Sequence, residues 1–385
     1  MSADWVAKPI TQCIKTVTPP AKVKQRDLKS DGPYPVVSQE ADLISGYWDE
    51  PADVIELDRP AVVFGDHTGV IKYVDFPFVA GADGPKILRA SDQVHPRYLY
   101  YFLLANPVKT LGYARHFKLV KELEIRFPRS LAEQKRIVAV LDEAFEAIER
   151  AEELDASRRV EAASLVQSAI DQRINGHADT ERPLEQDVRC IDYRGRTPPK
   201  TETGLPLITA KNVRMGYVKS EPKEFVDPGT YEAWMTRGIP KKGDVLFTTE
   251  APLGNVAVLD RSDRVVFAQR VIILQPDRTR LNPLYLHYLL RSTAVQSRIL
   301  AEGTGATATG IKASRLKKIQ IPVVSDTAKQ EAMANALAGL ELQIQRLIGV
   351  MDKRATQFGR LRQSLLEAAF GDALTSEATE EMVPA

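Results

Sequence analysis

Two stretches of the chain repeat apolar or small residues in alternating steps of four and three. The first runs through Ile137, Leu141, Ala144, Ile148 and Ala151 to Ala162, Leu165 and Ala169, with Asp155 and Arg158 filling the same series. The second runs through Met333, Leu337, Leu340, Ile344, Leu347, Met351, Phe358, Leu361 and Leu365, with Arg354 at the place of Arg158. This spacing is a heptad seam and predicts two long helices. No proline interrupts residues 131–174 or 325–370, and each stretch follows a proline-marked strand end, Ile125-Arg126-Phe127-Pro128 or Ile319-Gln320-Ile321-Pro322. About 40 residues at ~1.5 Å each make a rod of roughly 60 Å, longer than one small module can cover. Two such stripes in one chain most simply bury each other as an antiparallel coiled coil.

Outside the helices, short β-rich runs bounded by turn residues, such as 61–65, 244–247 and 271–274, predict mixed sheets. A further helix in each half starts at His95-Pro96 or Asn282-Pro283 and carries a Tyr-Leu cluster. The two halves match along nearly their whole length. Cys13-Ile14 with Thr18-Pro19-Pro20 answers Cys190-Ile191 with Thr197-Pro198-Pro199, Tyr98-Leu99 answers Tyr285-Leu286, and Gln134 answers Gln330. The expected fold is therefore α+β: two mixed α/β modules joined by two long helices in an antiparallel coiled coil, the whole a pseudo-twofold internal repeat. The expected boundaries are 1–130 for the first module, 131–175 for the first helix, 176–184 for a linker, 185–325 for the second module, 326–371 for the second helix and 372–385 for an acidic tail.

Composition narrows the function. With 385 residues, 44% hydrophobic and 27% charged, the chain has ordinary globular content. No apolar run approaches the roughly 20 residues of a membrane helix, and the N-terminus lacks a signal pattern, so a cytoplasmic protein with no membrane partner is expected. Net charge is +1, but it is unevenly distributed. Residues 185–325 carry 22 Lys/Arg against 14 Asp/Glu, a net +8, whereas residues 1–130 are nearly neutral. A basic patch confined to one globular stretch suits a surface that meets phosphate.

Few motifs read as catalytic. Asn282-Pro283-Leu284-Tyr285 resembles a base-flipping tetrad, but its third position is Leu and its counterpart is His95-Pro96-Arg97-Tyr98; an N-cap followed by proline explains both. Gly303-Thr304-Gly305-Ala306-Thr307-Ala308 follows a helical segment rather than a strand, which argues for a flexible loop over a dinucleotide fingerprint. Cys13 and Cys190 read as small core residues, and the five histidines lie far apart, so no metal site, cofactor or catalytic residue is expected. What remains is a set of side chains suited to base edges and phosphates: Gln39, His67, Thr68, Lys72, Tyr73, Arg115 and Lys118 in the first module, and Arg194, Arg196, Lys211, Asn212, Arg214, Thr249, Arg270 and Lys312 in the second. A non-DNA scaffold, a duplicated adaptor whose coiled coil clamps two proteins, is the alternative.

The segment Leu131-Ala132-Glu133-Gln134-Lys135-Arg136-Ile137-Val138 leading to Leu141-Asp142, the strings Gly46-Tyr47-Trp48 and Asp75-Phe76-Pro77-Phe78-Val79, and the closing residues 363–371 resemble the specificity subunit of type I restriction-modification enzymes. The resemblance spans essentially the whole chain. It implies two target-recognition domains that each read half of a split double-stranded DNA site, with helices that fix their separation. It also implies two adenine-methylating modification subunits docked on those helices and a motor-nuclease restriction subunit, which between them carry the S-adenosylmethionine, ATP and magnesium sites. The second helix has Ala328-Lys329-Gln330-Glu331-Ala332-Met333 where the first has the stronger form of this motif.

Overall fold

A computed structural model of the chain describes residues 4–82, 84–108, 115–193, 198–305 and 309–371. The expected acidic tail lies outside them, as do Arg194 and Arg196. In the first module the order is β1 (Trp5–Pro9), β2 (Ile14–Val17), β3 (Lys22–Val23), β4 (Tyr34–Val37), β5 (Gly46–Trp48), β6 (Val54–Ile55), β7 (Ala61–Gly65), β8 (Ile71–Val74), β9 (Phe78–Gly81), β10 (Pro85–Ala90), α1 (Pro96–Ala105), α2 (Phe117–Val120) and β11 (Glu124–Pro128). Helix α3 (Leu131–His177) follows. The second module runs β12 (Thr180–Pro183), β13 (Val188–Asp192), β14 (Lys200–Thr201), β15 (Leu205–Ile208), β16 (Phe225–Val226), α4 (Tyr231–Trp234), β17 (Val245–Thr248), β18 (Val256–Val258), β19 (Val266–Phe267), β20 (Val271–Pro276), α5 (Pro283–Arg291), α6 (Thr293–Ala301), α7 (Ala313–Leu316) and β21 (Gln320–Val323). Helix α8 (Thr327–Phe370) closes the chain.

The modules share one plan. An antiparallel sheet ordered β2-β10-β7-β8 in the first is matched by β13-β20-β17-β18 in the second. In each, a second sheet is built around a parallel pair, β4 with β9 or β15 with β19, and an antiparallel two-stranded ribbon, β1-β11 or β12-β21, leads into the following long helix. Strand alternation explains the layers. On β7, Val62 and Phe64 face the helical side while Ala61 and Val63 face the second sheet. On β17, Val245 and Phe247 face the helices and Leu246 faces the other sheet. Both faces of these central strands are covered, which is why they read as unbroken apolar runs.

The chain divides into two compact units, Met1–Leu154 with Asp352–Ala385, and Asp155–Met351. Each unit therefore takes one module and a part of both long helices. In the first, Ile137, Val138 and Leu141 of α3 share a core with Leu366 and Ala369 of α8, and the Phe370 ring meets Tyr98 edge-on at 5.0 Å. Arg362 there donates to both Glu152 carboxylate oxygens at 2.7 and 2.8 Å. In the second unit, Ala169, Ile170 and Ile174 of α3 join a core that includes Ala334 and Leu337 of α8. The start of one helix is thus matched with the end of the other in both units, an antiparallel pairing.

Gln134 and Gln330 attach each helix to the module before it. Both are fully buried. Gln134 Nε2 donates to the carbonyls of Gln93 and Pro128 while its Oε1 accepts from His95 N; Gln330 repeats this with Arg280, Val324 and Asn282. Three hydrogen bonds per amide satisfy a polar group that burial would otherwise penalise.

Two expectations change. The segment 176–184 is not a free linker: α3 continues to His177, and Thr180–Pro183 pairs antiparallel with β21, so its polar side chains belong to an edge strand. Three seam residues are exposed, Leu165 at 54%, Leu347 at 43% and Leu361 at 47%. Ile137, Leu141, Ile148 and Leu337 are buried, and Leu340, Ile344 and Phe358 are half-buried. A strict heptad drifts ~20° per repeat from a straight helix. Eighteen residues make about five turns at 3.6 per turn, so Val166 stands in phase with Ile148, and Arg362 with Ile344. Those two, both half-buried, take the places expected of Leu165 and Leu361.

Candidate nucleic-acid interface

In the first module, the turn after β7 gathers three expected residues. Gln39 follows β4, and its Oε1 accepts from His67 N at 3.2 Å while its backbone carbonyl accepts from the Thr68 hydroxyl at 2.8 Å. Gly84 closes the group: its φ of +117° strains any residue with a side chain, and an added Cβ, 2.5 Å from Gln39 Oε1, would push the Gln39 amide aside. Arg115 and Lys118 reach the same place because His116 N donates to Asp66 O at 2.8 Å. Buried Asp66 then accepts from Phe117 N at 2.8 Å and lies 3.6 Å from Lys86. Arg115 and Lys118 are exposed beside this closure.

The second module builds the equivalent feature with other residues. Ile311 N donates to Thr249 O at 2.9 Å, and Thr249 N donates to Arg270 O at 3.0 Å. Thr249, Glu250, Gln269, Thr304, Gly310, Ile311 and Lys312 line a concavity of about 360 Å³. Arg270 Nε lies 2.7 Å from Glu250 at its rim, and Lys312 is exposed. Thr304 and Gly310 pair with each other at this concavity, while Ala306, Thr307 and Ala308 of the glycine-rich segment lie outside the described residues. Ala251, with φ +50°, is a non-glycine residue in the left-handed region of the turn after β17.

Four expected contacts are corrected, three by burial and Tyr73 by its packing. Lys72 is 5% exposed and its ammonium donates to the Asp42 carbonyl, beneath the loop after β4. Burial pushes its pKa down, with Asp42 and Glu40 partly opposing. Tyr73 leaves the opposite face of β8 and is packed under the Arg97 guanidinium at 4.9 Å and against Tyr100 at 5.8 Å; burial pushes its phenol up. Asn212 is buried with Oδ1 accepting from Thr209 N and Oγ1 and Nδ2 donating to the carbonyls of Lys219 and Pro222, so nothing is left for a base. The Thr249 hydroxyl is buried against Arg270 O, and this residue contributes backbone geometry. Lys211 and Arg214 stand in a separate loop, with Lys211 exposed and Arg214 half-buried.

Asn282 is the N-cap of α5, its side chain accepting from Leu284 N and Tyr285 N at 2.9 and 3.1 Å. That geometry answers the resemblance to a base-flipping tetrad. Cys13 is buried and Cys190 half-buried, and burial pushes both thiols up, Cys190 to about 11, which disfavours the reactive thiolate. Among the described residues no cluster of three or more His, Cys, Asp or Glu could hold a metal, and no helix is long and apolar enough to cross a membrane. Sequence reading missed the buried pair Gln134 and Gln330 as anchors, although their recurrence in both halves was the available signal. Asp66 carried no such mark.

Comparison with known proteins gives this geometry a family. Residues 3–156 and 235–347 match the type I restriction modification DNA specificity domain. The chain is 22% identical over 335 residues to the type I restriction enzyme EcoR124I/EcoR124II specificity subunit of Escherichia coli, covering 80% of each. A solved structure concerned with complex assembly and conformational transition of the type I R-M system aligns over 96% of this chain and 98% of that chain, with a TM-score of 0.71 and 18% identity. The HsdS subunit from Thermoanaerobacter tengcongensis aligns over 96% and 97%, with a TM-score of 0.52 and 19% identity. At these identities the two structures speak for the fold. The reading as a duplicated non-DNA scaffold is left without support. The match over most of its length, on a doubled α+β frame with paired long helices, places the chain in the family of type I restriction-modification DNA specificity subunits.

Proposed function

We propose that each module reads one half of a split double-stranded DNA site through its loop cluster. In the first module Gln39 and His67 face base edges, Thr68 holds the Gln39 backbone in place, and Arg115 and Lys118 take phosphates; in the second, Arg270 and Gln269 read, with Lys312, Lys211 and Arg214 anchoring. Arg and Gln side chains make bidentate contacts with guanine or adenine, whereas Lys and Thr mostly position the backbone. The chain makes and breaks no bonds. The paired helices set the unread spacer and dock two adenine-methylating modification subunits, a motor-nuclease subunit completes the restriction complex, and the assembly acts in the cytoplasm. The net charge of +8 in 185–325 gives the second module the larger share of salt-dependent affinity.

One observation carries this reading: the same loop closure, His116 N to Asp66 O and Ile311 N to Thr249 O, recurs at the same place in both modules with different side chains around it. A duplicated frame with divergent polar loops suits two heads that read different sequences. The test is to map methylated sites in cells carrying Q39A/H67A or Q269A/R270A. Each pair is expected to relax sequence preference in one half-site and leave the other intact. Simultaneous loss at both halves, or at neither, sinks the assignment.

A further inference from the structure

The loop after β15, which carries the anchoring Lys211 and Arg214, also presents two exposed apolar side chains, Met215 and Tyr217, that the reading clusters do not use. Val213 and Val218 pair antiparallel, Arg214 N donates to Tyr217 O at 2.9 Å, and Tyr217 N returns to Arg214 O at 3.3 Å, forming a tight hairpin. Gly216 supplies the positive φ, +98°, that such a turn needs. At its tip Met215 is 42% exposed and Tyr217 59% exposed. The hairpin is held from below at three points. Asn212 ties its two ends together, Asn255 Nδ2 donates to Val213 O at 2.9 Å, and Gly216 N donates to Val256 O at 2.8 Å.

Rigid backbone support beneath two large exposed apolar side chains gives folding little, but it lowers the entropy lost when those side chains are bound. The surroundings point to the ligand. Residues 209–220 contain Lys211, Arg214 and Lys219 and no Asp or Glu. Among the described residues no carboxylate pairs with any of the three. The hairpin is also continuous with the second module's cluster: Ala268 N, beside Gln269, donates to Ile208 O at 3.0 Å, and Asn255 N donates to Thr248 Oγ1 at 2.9 Å at the foot of the Thr249–Glu250 turn.

We propose that the 213–218 hairpin is a second DNA-contacting element of this module, in which Met215 and Tyr217 contact bases through their apolar surfaces while Lys211, Arg214 and Lys219 hold phosphates. The inference rests on the second module being a DNA reader. Aromatic and thioether side chains framed by cations can contact or wedge between bases, a contribution that releases no counterions. The two parts of the hairpin therefore have different salt signatures.

The test uses the full-length chain assembled with its modification subunits and a duplex carrying its mapped site, with affinity measured across a salt series. M215A/Y217A is expected to weaken binding about tenfold or more with the log-affinity against log-salt slope unchanged, and Y217F to stay near wild type. K211A/K219A is expected to flatten that slope by up to ~2. A double apolar variant that binds DNA like wild type overturns the proposal. So does one whose only defect is loss of the modification subunits, which would make the hairpin a protein contact. If the wild-type assembly shows no sequence-specific binding, the underlying DNA-reading assignment fails as well, an outcome distinct from equal binding by variant and wild type. Thermal melting of each variant checks that the exposed substitutions leave folding intact.

Discussion

His287 shows how burial fixes the state of a single group. It lies on α5 with Nε2 2.8 Å from Arg291 Nη1, an arrangement that requires the neutral imidazole to accept from the guanidinium. Its Nδ1 is buried without a hydrogen-bond partner among the described residues. Burial first, and the Arg291 charge second, push its pKa down to about 3. An unfolded histidine titrates near ~6.5, so below that pH the unfolded chain takes a proton that the folded chain refuses. This stabilising contribution is complete above pH ~6.5 and lost as pH falls toward 3, by up to about 1.4 kcal/mol per unit. Urea unfolding of the full chain between pH 7 and pH 4 is expected to show a shallower pH dependence for H287Q, which keeps an acceptor for Arg291; matching slopes would refute the account. The same scale explains why some expected contacts failed. Residue type marked Lys72 and Asn212 as polar and suited to nucleic acid, but only folding showed that the loop carbonyls beside them use those groups.

At the scale of elements, the helix pair was legible because a heptad survives in the order of residues, while its fine phase was not. Small departures between 3.5 and 3.6 residues per turn accumulate, and by the far end of each helix they exchange a neighbour for the expected residue. Ile148 and Leu337 are nearly fully buried, whereas Leu165 is half exposed. Ile148→Ala and Leu337→Ala are each expected to cost about 2–4 kcal/mol in chemical denaturation, and Leu165→Ala no more than about 0.5. Equal costs at all three sites would restore the strict seam. The strand at Thr180–Pro183 was hidden for a different reason: its partner β21 lies about 140 residues away, and a short polar edge strand has no period of its own that betrays it.

For the whole molecule, the proposed spacing role of the helices gives a length-dependent expectation. One heptad inserted into both α3 and α8, where the two compact units meet in sequence near residues 154 and 351, adds ~10 Å of helix and preserves the packing face to within ~20°. The methylated site is expected to keep its two half-sequences and gain about three base pairs of spacer, at ~3.4 Å per pair. An unchanged spacer in a folded variant, read by sequencing of methylated DNA, would contradict that role. The sequence alone determined the doubling, the α+β class, the two long helices and the family resemblance. Each of these lives in patterns repeated over tens of residues, where a few local exceptions do not erase the signal. Tertiary structure decided which polar side chains remain available at the loop ends, how Gln134 and Gln330 fasten the helices, and that each compact unit combines one module with portions of both helices. Those facts depend on partners distant in sequence, and no local pattern records where a buried donor will find its acceptor.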